Sequence, residues 1–161
     1  MPKKSPRAVG GSNSDEWYTS KETLAAARDF ACVSRFTLDV AACEEAHVCD
    51  EWFGEERNGL ALQWDGDVFC NPPFSQCGRW VAKAWEEWNA GRPTTITMLL
   101  PANRTETAWW QGYVEPFRDF VVYPLRTRFL PGRAAFAFPG SKGAVKKGST
   151  FGIVFLNWRP K

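Results

Sequence analysis

Apolar positions recur along the chain with two periods, about 3.6 residues and about 2, and the places where the period changes mark out its elements. Residues 1–14 offer almost nothing to bury and carry Lys3, Lys4 and Arg7, which predicts a flexible basic tail. Thr19-Ser20-Lys21-Glu22 has the form of a capping box, with the Thr19 hydroxyl and the Glu22 carboxylate satisfying backbone donors reciprocally. A helix from about Ser20 to Ala31 follows, with Leu24, Ala27 and Ala31 on its apolar face. Phe36-Thr37-Leu38-Asp39-Val40 alternates and is β-rich, so it predicts the first strand, handing over to a loop at Ala41-Ala42. Residues 43–66 are acidic and mixed, with a short second strand near Val48, and Val68-Phe69-Cys70 predicts the next strand, leading into Asn71.

Ser75 can cap the following helix, in which Val81, Ala84, Trp85 and Trp88 fall at i, i+3, i+4 and i+7, and Gly91 ends it. Thr94 to Leu100 is a continuous β-branched and apolar run, the pattern of a strand buried on both faces, and Pro101 stops it. Asn103 with Glu106 can cap a short helix carrying Trp109 and Trp110, closed by Pro116, and Asp119 to Tyr123 reads as another strand. From Leu125 the pattern changes to Arg126-Thr127-Arg128-Phe129, a Pro131-Gly132 turn, Ala134 to Phe138, a mobile loop at about Pro139 to Ser149, and a strand from Thr150 to Leu156. Strand and helix alternate first and strands follow strands later, so the chain is α/β with a mostly parallel sheet and an antiparallel C-terminal part.

Composition narrows the class. At 161 residues with 44% apolar and 15% aromatic residues the chain can bury one sizeable core. No run approaches the roughly 20 apolar residues of a membrane span, and the basic start lacks an apolar signal core, so a cytoplasmic protein is expected. Cys32, Cys43, Cys49, Cys70 and Cys77 are odd in number and irregular in spacing, which suits free thiols in a reducing compartment. Cys43, His47 and Cys49 lack a CxxC pair and include the chain's one histidine, so no metal is expected.

Net charge is +2, but residues 120–161 hold 8 basic residues and no acid. That asymmetry suits either a polyanion-facing surface or a solvated basic face.

The candidate chemistry sits at Asn71-Pro72-Pro73-Phe74, which directly follows an apolar strand and precedes a helix, the position where α/β sheets bind ligands. A turn has the same composition, and it is the strand-to-helix setting that favours a site. An exocyclic amine on a ring such as adenine is a poor nucleophile because its lone pair is delocalised. The Asn71 side-chain oxygen and the carbonyl after it can accept the two amine hydrogens, two prolines with fixed φ and no N–H aim that carbonyl, and Phe74 stacks on the ring. With an activated sulfonium as methyl donor, the protein supplies position and electrostatics, and neither a metal nor a covalent nucleophile is needed. Asp39, in an otherwise apolar strand, is costly to bury unpaired and points to a ligand or a partner. Trp80, Trp85, Trp88, Trp109 and Trp110 read as core and helix packing.

Trp17-Tyr18-Thr19, Leu38-Asp39-Val40-Ala41-Ala42, Asn58-Gly59-Leu60 with Trp64, and Val68 through Ser75 stand in an order and spacing that resembles the compact phage-type DNA N6-adenine methyltransferases. The similarity continues through Met98-Leu99-Leu100-Pro101-Ala102, Trp109-Trp110, and Gly132-Arg133 with Phe136 to the last strand, so it covers most of the chain. The resemblance implies a single S-adenosylmethionine-dependent domain over residues 15–161 with a Rossmann-like methyltransferase sheet, acting on double-stranded DNA in the host cytoplasm. It makes Asn71, Pro72, Pro73 and Phe74 catalytic, and it places Trp17, Tyr18, Thr19, Asp39, Ala41 and Asn71 at the cofactor, with Trp17 to Thr19 closing over it. In place of the Gly-rich loop of general methyltransferases stands Asp39-Val40-Ala41-Ala42.

Granted that reading, the interleaving of Arg126, Arg128 and Arg133 with Phe129 and Phe136, and of Lys142, Lys146 and Lys147 with glycines, makes residues 124–149 the expected DNA-contacting segment. Reaching an amine inside a duplex requires flipping the base out of the stack. The alternatives are an exocyclic amine in RNA, a glutamine amide in protein, or a DNA-binding accessory protein on a decayed methyltransferase scaffold. Cytosine C5 methylation is set aside, because none of the five cysteines follows a proline.

Overall fold

The computed structural model describes residues 18–133, 136–137 and 151–160, so the tail predicted at 1–14 and the loop at 139–149 lie outside the described residues. In chain order the elements are β1 (Tyr18–Thr19), α1 (Lys21–Ala31), β2 (Leu38–Asp39), β3 (Gly66–Cys70), a 3-10 turn (Phe74–Gln76), α2 (Cys77–Asn89), β4 (Pro93–Pro101), α3 (Ala108–Tyr113), β5 (Leu125–Phe129), β6 (Phe136–Ala137) and β7 (Ile153–Trp158). Five strands form one mixed sheet in the order β2-β3-β4-β7-β5. β2, β3 and β4 are parallel, and β7 runs antiparallel to both β4 and β5, so the parallel start and antiparallel ending expected from the pattern are both present. β1 and β6 pair with each other, antiparallel, in a separate two-stranded sheet.

Side chains alternate across a strand, and β7 shows which helix each sheet face carries. Phe155 stacks against Phe30 of α1 at 6.2 Å between ring centroids, whereas Trp158, of opposite parity, meets Trp85 of α2 edge to face at 5.6 Å. α1 therefore covers one face and α2 the other. β4 is buried from Thr95 to Pro101, as its two covered faces require. Trp80 and Trp110 are core residues, and Trp85, Trp88 and Trp109 pack against the core, in keeping with a packing role for all five. No helix among the described residues is long and apolar enough to cross a membrane.

A buried ion pair ties α2 to its neighbours. Glu87 is fully buried, with Lys83 Nζ at 2.5 Å, Arg92 Nε at 2.7 Å and the Trp64 N–H donating at 3.0 Å. Burial pushes the Glu87 carboxyl up, but these hydrogen bonds outweigh it and hold the group at about 2.

Several local expectations shift, each for a physical reason. Ser20, not Thr19, caps α1: its side chain accepts from the Thr23 N–H, and the Thr19 hydroxyl makes a longer-range contact instead. Ser75 lies inside the 3-10 turn, and α2 begins after Gln76 without a side-chain cap bond. α3 starts after Thr107 rather than Asn103, because residues 103–107 are spent on turns held by Arg104 and Thr107. The short strand expected near Val48 is absent; Trp52 bridges Asp39 instead, and the Val48 N–H donates to the Asp39 carboxylate. Asp119 to Tyr123 is a turn with Asp119 at φ 63, since the sheet edge there is taken by β5, which leaves Phe120, Val121 and Val122 exposed.

Candidate active site

Because β2, β3 and β4 are parallel, their carboxyl ends share one rim of the sheet, where α/β folds bind ligands. β3 reaches that rim through fully buried Val68, Phe69 and Cys70, and the chain leaves it as Asn71-Pro72-Pro73 before turning into the 3-10 segment and α2. Neither proline has an N–H to satisfy, so the backbone can leave a buried strand abruptly at no hydrogen-bonding cost. The Asn71 amide Nδ2 donates to the Thr19 Oγ1 at 3.2 Å. Across β1, Thr19 is paired with Phe136 of β6 and Tyr18 with Ala137, so the short two-stranded sheet lies as a strap against the motif.

Phe74, expected to stack on the target ring, sits in an aromatic cluster. Its ring is 9% exposed and nearly perpendicular to both Phe136, at 6.3 Å, and Phe151, at 5.6 Å. The sequence signal could not show this, because both partners come from far along the chain, Phe136 in β6 and Phe151 just ahead of β7.

Asp39 stands at the end of β2 on the same rim, 3% exposed. Its Oδ1 accepts from the Ala41 N–H at 3.3 Å and its Oδ2 from the Val48 N–H at 3.1 Å. Desolvation outweighs these two bonds and raises the carboxyl to about 6. The loop after it is held in place by Gly59, where a Cβ would lie 2.1 Å from the Val40 carbonyl oxygen, and by the Trp64 indole N–H donating to the Gly59 carbonyl at 2.8 Å. Asn58-Gly59-Leu60 and Trp64 thus act together, seating the 58–64 loop on the backbone beside Asp39. Tyr18 is half-buried, and its hydroxyl accepts from the Cys43 thiol at 3.6 Å. Burial, with Asp39 nearby, pushes the Cys70 thiol well above its ordinary value, which keeps it protonated and unsuited to nucleophilic attack.

The structure thus brings Thr19, Tyr18, Asp39, Ala41 and Asn71 to Phe74 onto one rim. Trp17, Lys142, Lys146 and Lys147 lie outside the described residues. Arg126 and Arg128 belong to β5, three strands from β3 and so roughly 14 Å away across the sheet. Arg126 donates to the carbonyls of Phe120, at 3.1 Å, and Tyr123, at 2.7 Å. Arg128 pairs with Asp29 at 2.9 Å and lies over the Phe30 ring at 4.7 Å. Arg133 follows β5 on the rim side, since Phe129 lies opposite Val154, which lies opposite Leu100 near the end of β4. Among the described residues no group of three or more His, Cys, Asp or Glu side chains is placed to hold a metal ion.

Residues that the motif reading passed over also line this rim. Arg79 and Arg104 flank a cleft of about 430 Å³ that begins at Phe74. The signal for them was available, because Arg104 follows the end of β4 just as Asn71 follows the end of β3.

No solved structure gives a significant match. A DNA N-6-adenine-methyltransferase of Escherichia phage T1 is 36% identical over 98 residues, which is 60% of this chain and 39% of that protein's length. The match therefore spans well under half of the curated relative. The family model for DNA N-6-adenine-methyltransferase (Dam) matches residues 8–161, nearly the whole chain, and its span includes the rim with Asp39 and Asn71 to Phe74, so the chain belongs to the DNA N-6-adenine-methyltransferase family.

Proposed function

We propose that this protein transfers a methyl group from S-adenosylmethionine to the N6 amine of adenine in DNA, after the base has been flipped from the duplex, within one domain over residues 15–161 and a Rossmann-like sheet. The observation that carries the reading is the placement of Asn71 at the end of β3 with its amide plane fixed by Thr19. That contact sets the direction of Oδ1, which accepts one amine hydrogen, while the Pro72 carbonyl accepts the other. Hydrogen bonds from both amine hydrogens to these acceptors draw lone-pair density back onto N6; as the N–CH3 bond forms the S–CH3 bond breaks, and one of the two protons then leaves to solvent.

The donor set at the rim suits the cofactor. A desolvated carboxylate such as Asp39 is matched by a ligand with positive charge, and Asp39, Tyr18 and Ala41 would hold it, with Trp17 assigned to the same cofactor and Thr19 and Asn71 bordering it, their side chains engaged with each other. S-adenosylmethionine supplies an electrophilic methyl group on a good leaving group. The protein's own residues then orient the amine in line with it and exclude water. Phe74, backed by Phe136 and Phe151, gives the target pocket its apolar wall, and Arg133, Lys142, Lys146 and Lys147 are the basic residues assigned to the duplex. The setting for all of this is the cytoplasm of the host cell.

Incubation with labelled S-adenosylmethionine and, separately, duplex DNA, RNA and a glutamine peptide, followed by digestion, should place the label on N6-methyladenine from DNA. Label in RNA or peptide alone would overturn the reading. Asn71→Ala should lower turnover at least ~100-fold, in the range of a lost transition-state acceptor, while cofactor affinity changes little. An active Asn71→Ala enzyme would refute the role given to Asn71.

A further inference from the structure

The cleft beside Phe74 opens between the start of α2 and the turn that follows β4, and its volume of about 430 Å³ is in the usual range for ligand clefts. It lies on the β4 side of the motif, away from Asp39 on β2. Its charge has one sign: Arg79 and Arg104 line it, and no carboxylate does. Both arginines are exposed and neither joins an ion pair among the described residues, whereas Lys83, Arg92, Arg118 and Arg128 each do. Arg79 donates to the Gln76 Oε1 at 3.4 Å, a contact along its own helix turn that leaves its charge uncompensated. The wall is built for close approach. A Cβ at Gly78 would lie 2.9 Å from the Trp109 Cβ, so only glycine lets the Trp109 indole seat against the first turn of α2.

Two uncompensated guanidinium groups beside an aromatic wall select an anion attached to a flat group. We propose that this cleft holds the DNA strand that carries the target adenine, with Arg79 and Arg104 on the phosphate next to the flipped nucleotide and Trp109 against the neighbouring base. The inference rests on the DNA-methylating reading above. Phe74 joins the two sites, being both the last residue of the catalytic tetrapeptide and part of the cleft wall, so a strand in the cleft is in register with an amine at Asn71. These two cations are distinct from Arg126 and Arg128, which are engaged by the Tyr123 carbonyl and by Asp29.

The test compares wild type, the double variant Arg79→Ala/Arg104→Ala, the double variant Arg79→Lys/Arg104→Lys, and Arg35→Ala, which removes an exposed cation elsewhere, before β2. Duplex binding is measured by fluorescence anisotropy across a salt series, alongside methylation kinetics and thermal melting. Each phosphate contact contributes about 0.9 to the slope of log K against log salt. The double alanine variant gives up that one phosphate and should therefore show a slope shallower by roughly 0.9 and a KM for DNA at least ~10-fold higher, with unchanged melting temperature and little change in kcat. The double lysine variant should recover most of the slope, and Arg35→Ala should match wild type. If wild type methylates adenine in DNA but the double alanine variant keeps the wild-type slope and KM, the cleft assignment alone is wrong. If wild type leaves DNA unmethylated, the functional reading fails and the cleft assignment fails with it.

Discussion

At the residue scale, Asp39 shows how a site can work against the stability of the fold that carries it. Its carboxyl is raised from an ordinary 3.8 to about 6 because burial removes water faster than two backbone N–H groups replace it. A carboxyl with a raised folded-state value favours the fold most when protonated, so its contribution is fully present below about pH 4 and is lost as pH rises through 6. At neutral pH the ionised group costs on the order of 3 kcal/mol. Thermal melts of the cofactor-free protein from about pH 4 to 7 should therefore lose this increment in wild type and lose less in Asp39→Asn, so that the two curves converge at the acid end. Parallel curves would show that Asp39 is not the buried titrating group. The sequence made this legible in kind, since a lone Asp between Leu38 and Val40 is conspicuous. The two N–H donors were not legible, because Val48 reaches Asp39 only once the 43–53 loop has folded back on β2.

At the element scale, the strap of β1 and β6 holds the tetrapeptide through the Asn71–Thr19 contact. The capping-box pattern assigned the Thr19 hydroxyl to α1, and Ser20 one residue later satisfies that helix as well, which releases Thr19 to reach Asn71. Local pattern alone cannot decide between adjacent Thr and Ser; the deciding partner lies 52 residues away. The long elements α1, α2, β3 and β4 were readable within a few residues because their burial follows a single period. The strap was not, because two-residue strands carry no period at all. Replacing Thr19 by valine keeps the shape and removes the acceptor for the Asn71 amide. Thr19→Val should lower kcat by about tenfold, the factor set by one neutral hydrogen bond of ~1–1.5 kcal/mol, with the S-adenosylmethionine dissociation constant within about threefold of wild type, and Thr19→Ser should restore kcat. A loss of cofactor affinity equal to the loss in kcat/KM would instead show that the hydroxyl bonds the cofactor directly and does not act through Asn71.

At the scale of the whole molecule, the sheet divides labour between its two rims. The carboxyl rim holds Asp39, Asn71 and the arginine-lined cleft, while the amino rim holds the Glu87 ion pair and the exposed turn of Phe120, Val121 and Val122. Arg126 stands opposite Asn157, which lies opposite Thr97 at the middle of β4, and it is the side chain that reaches the second rim, at the turn ahead of β5. There its guanidinium gathers the carbonyls of Phe120, Tyr123 and Leu125, closing a turn that has no strand to pair with. Charge counting along the sequence groups Arg126 with the acid-free C-terminal third, yet charge is read by a polyanion in space, and the fold spends this cation on the turn ahead of β5, three strands from β3. Arg126→Ala should accordingly destabilise the protein by about 1.5–3 kcal/mol, the scale of lost hydrogen bonds from a charged donor, seen as a lower denaturant midpoint. The salt slope of DNA binding should stay at its wild-type value. A slope shallower by about 0.9 would instead put a phosphate on Arg126 and extend the DNA footprint around the β5 edge to the amino rim.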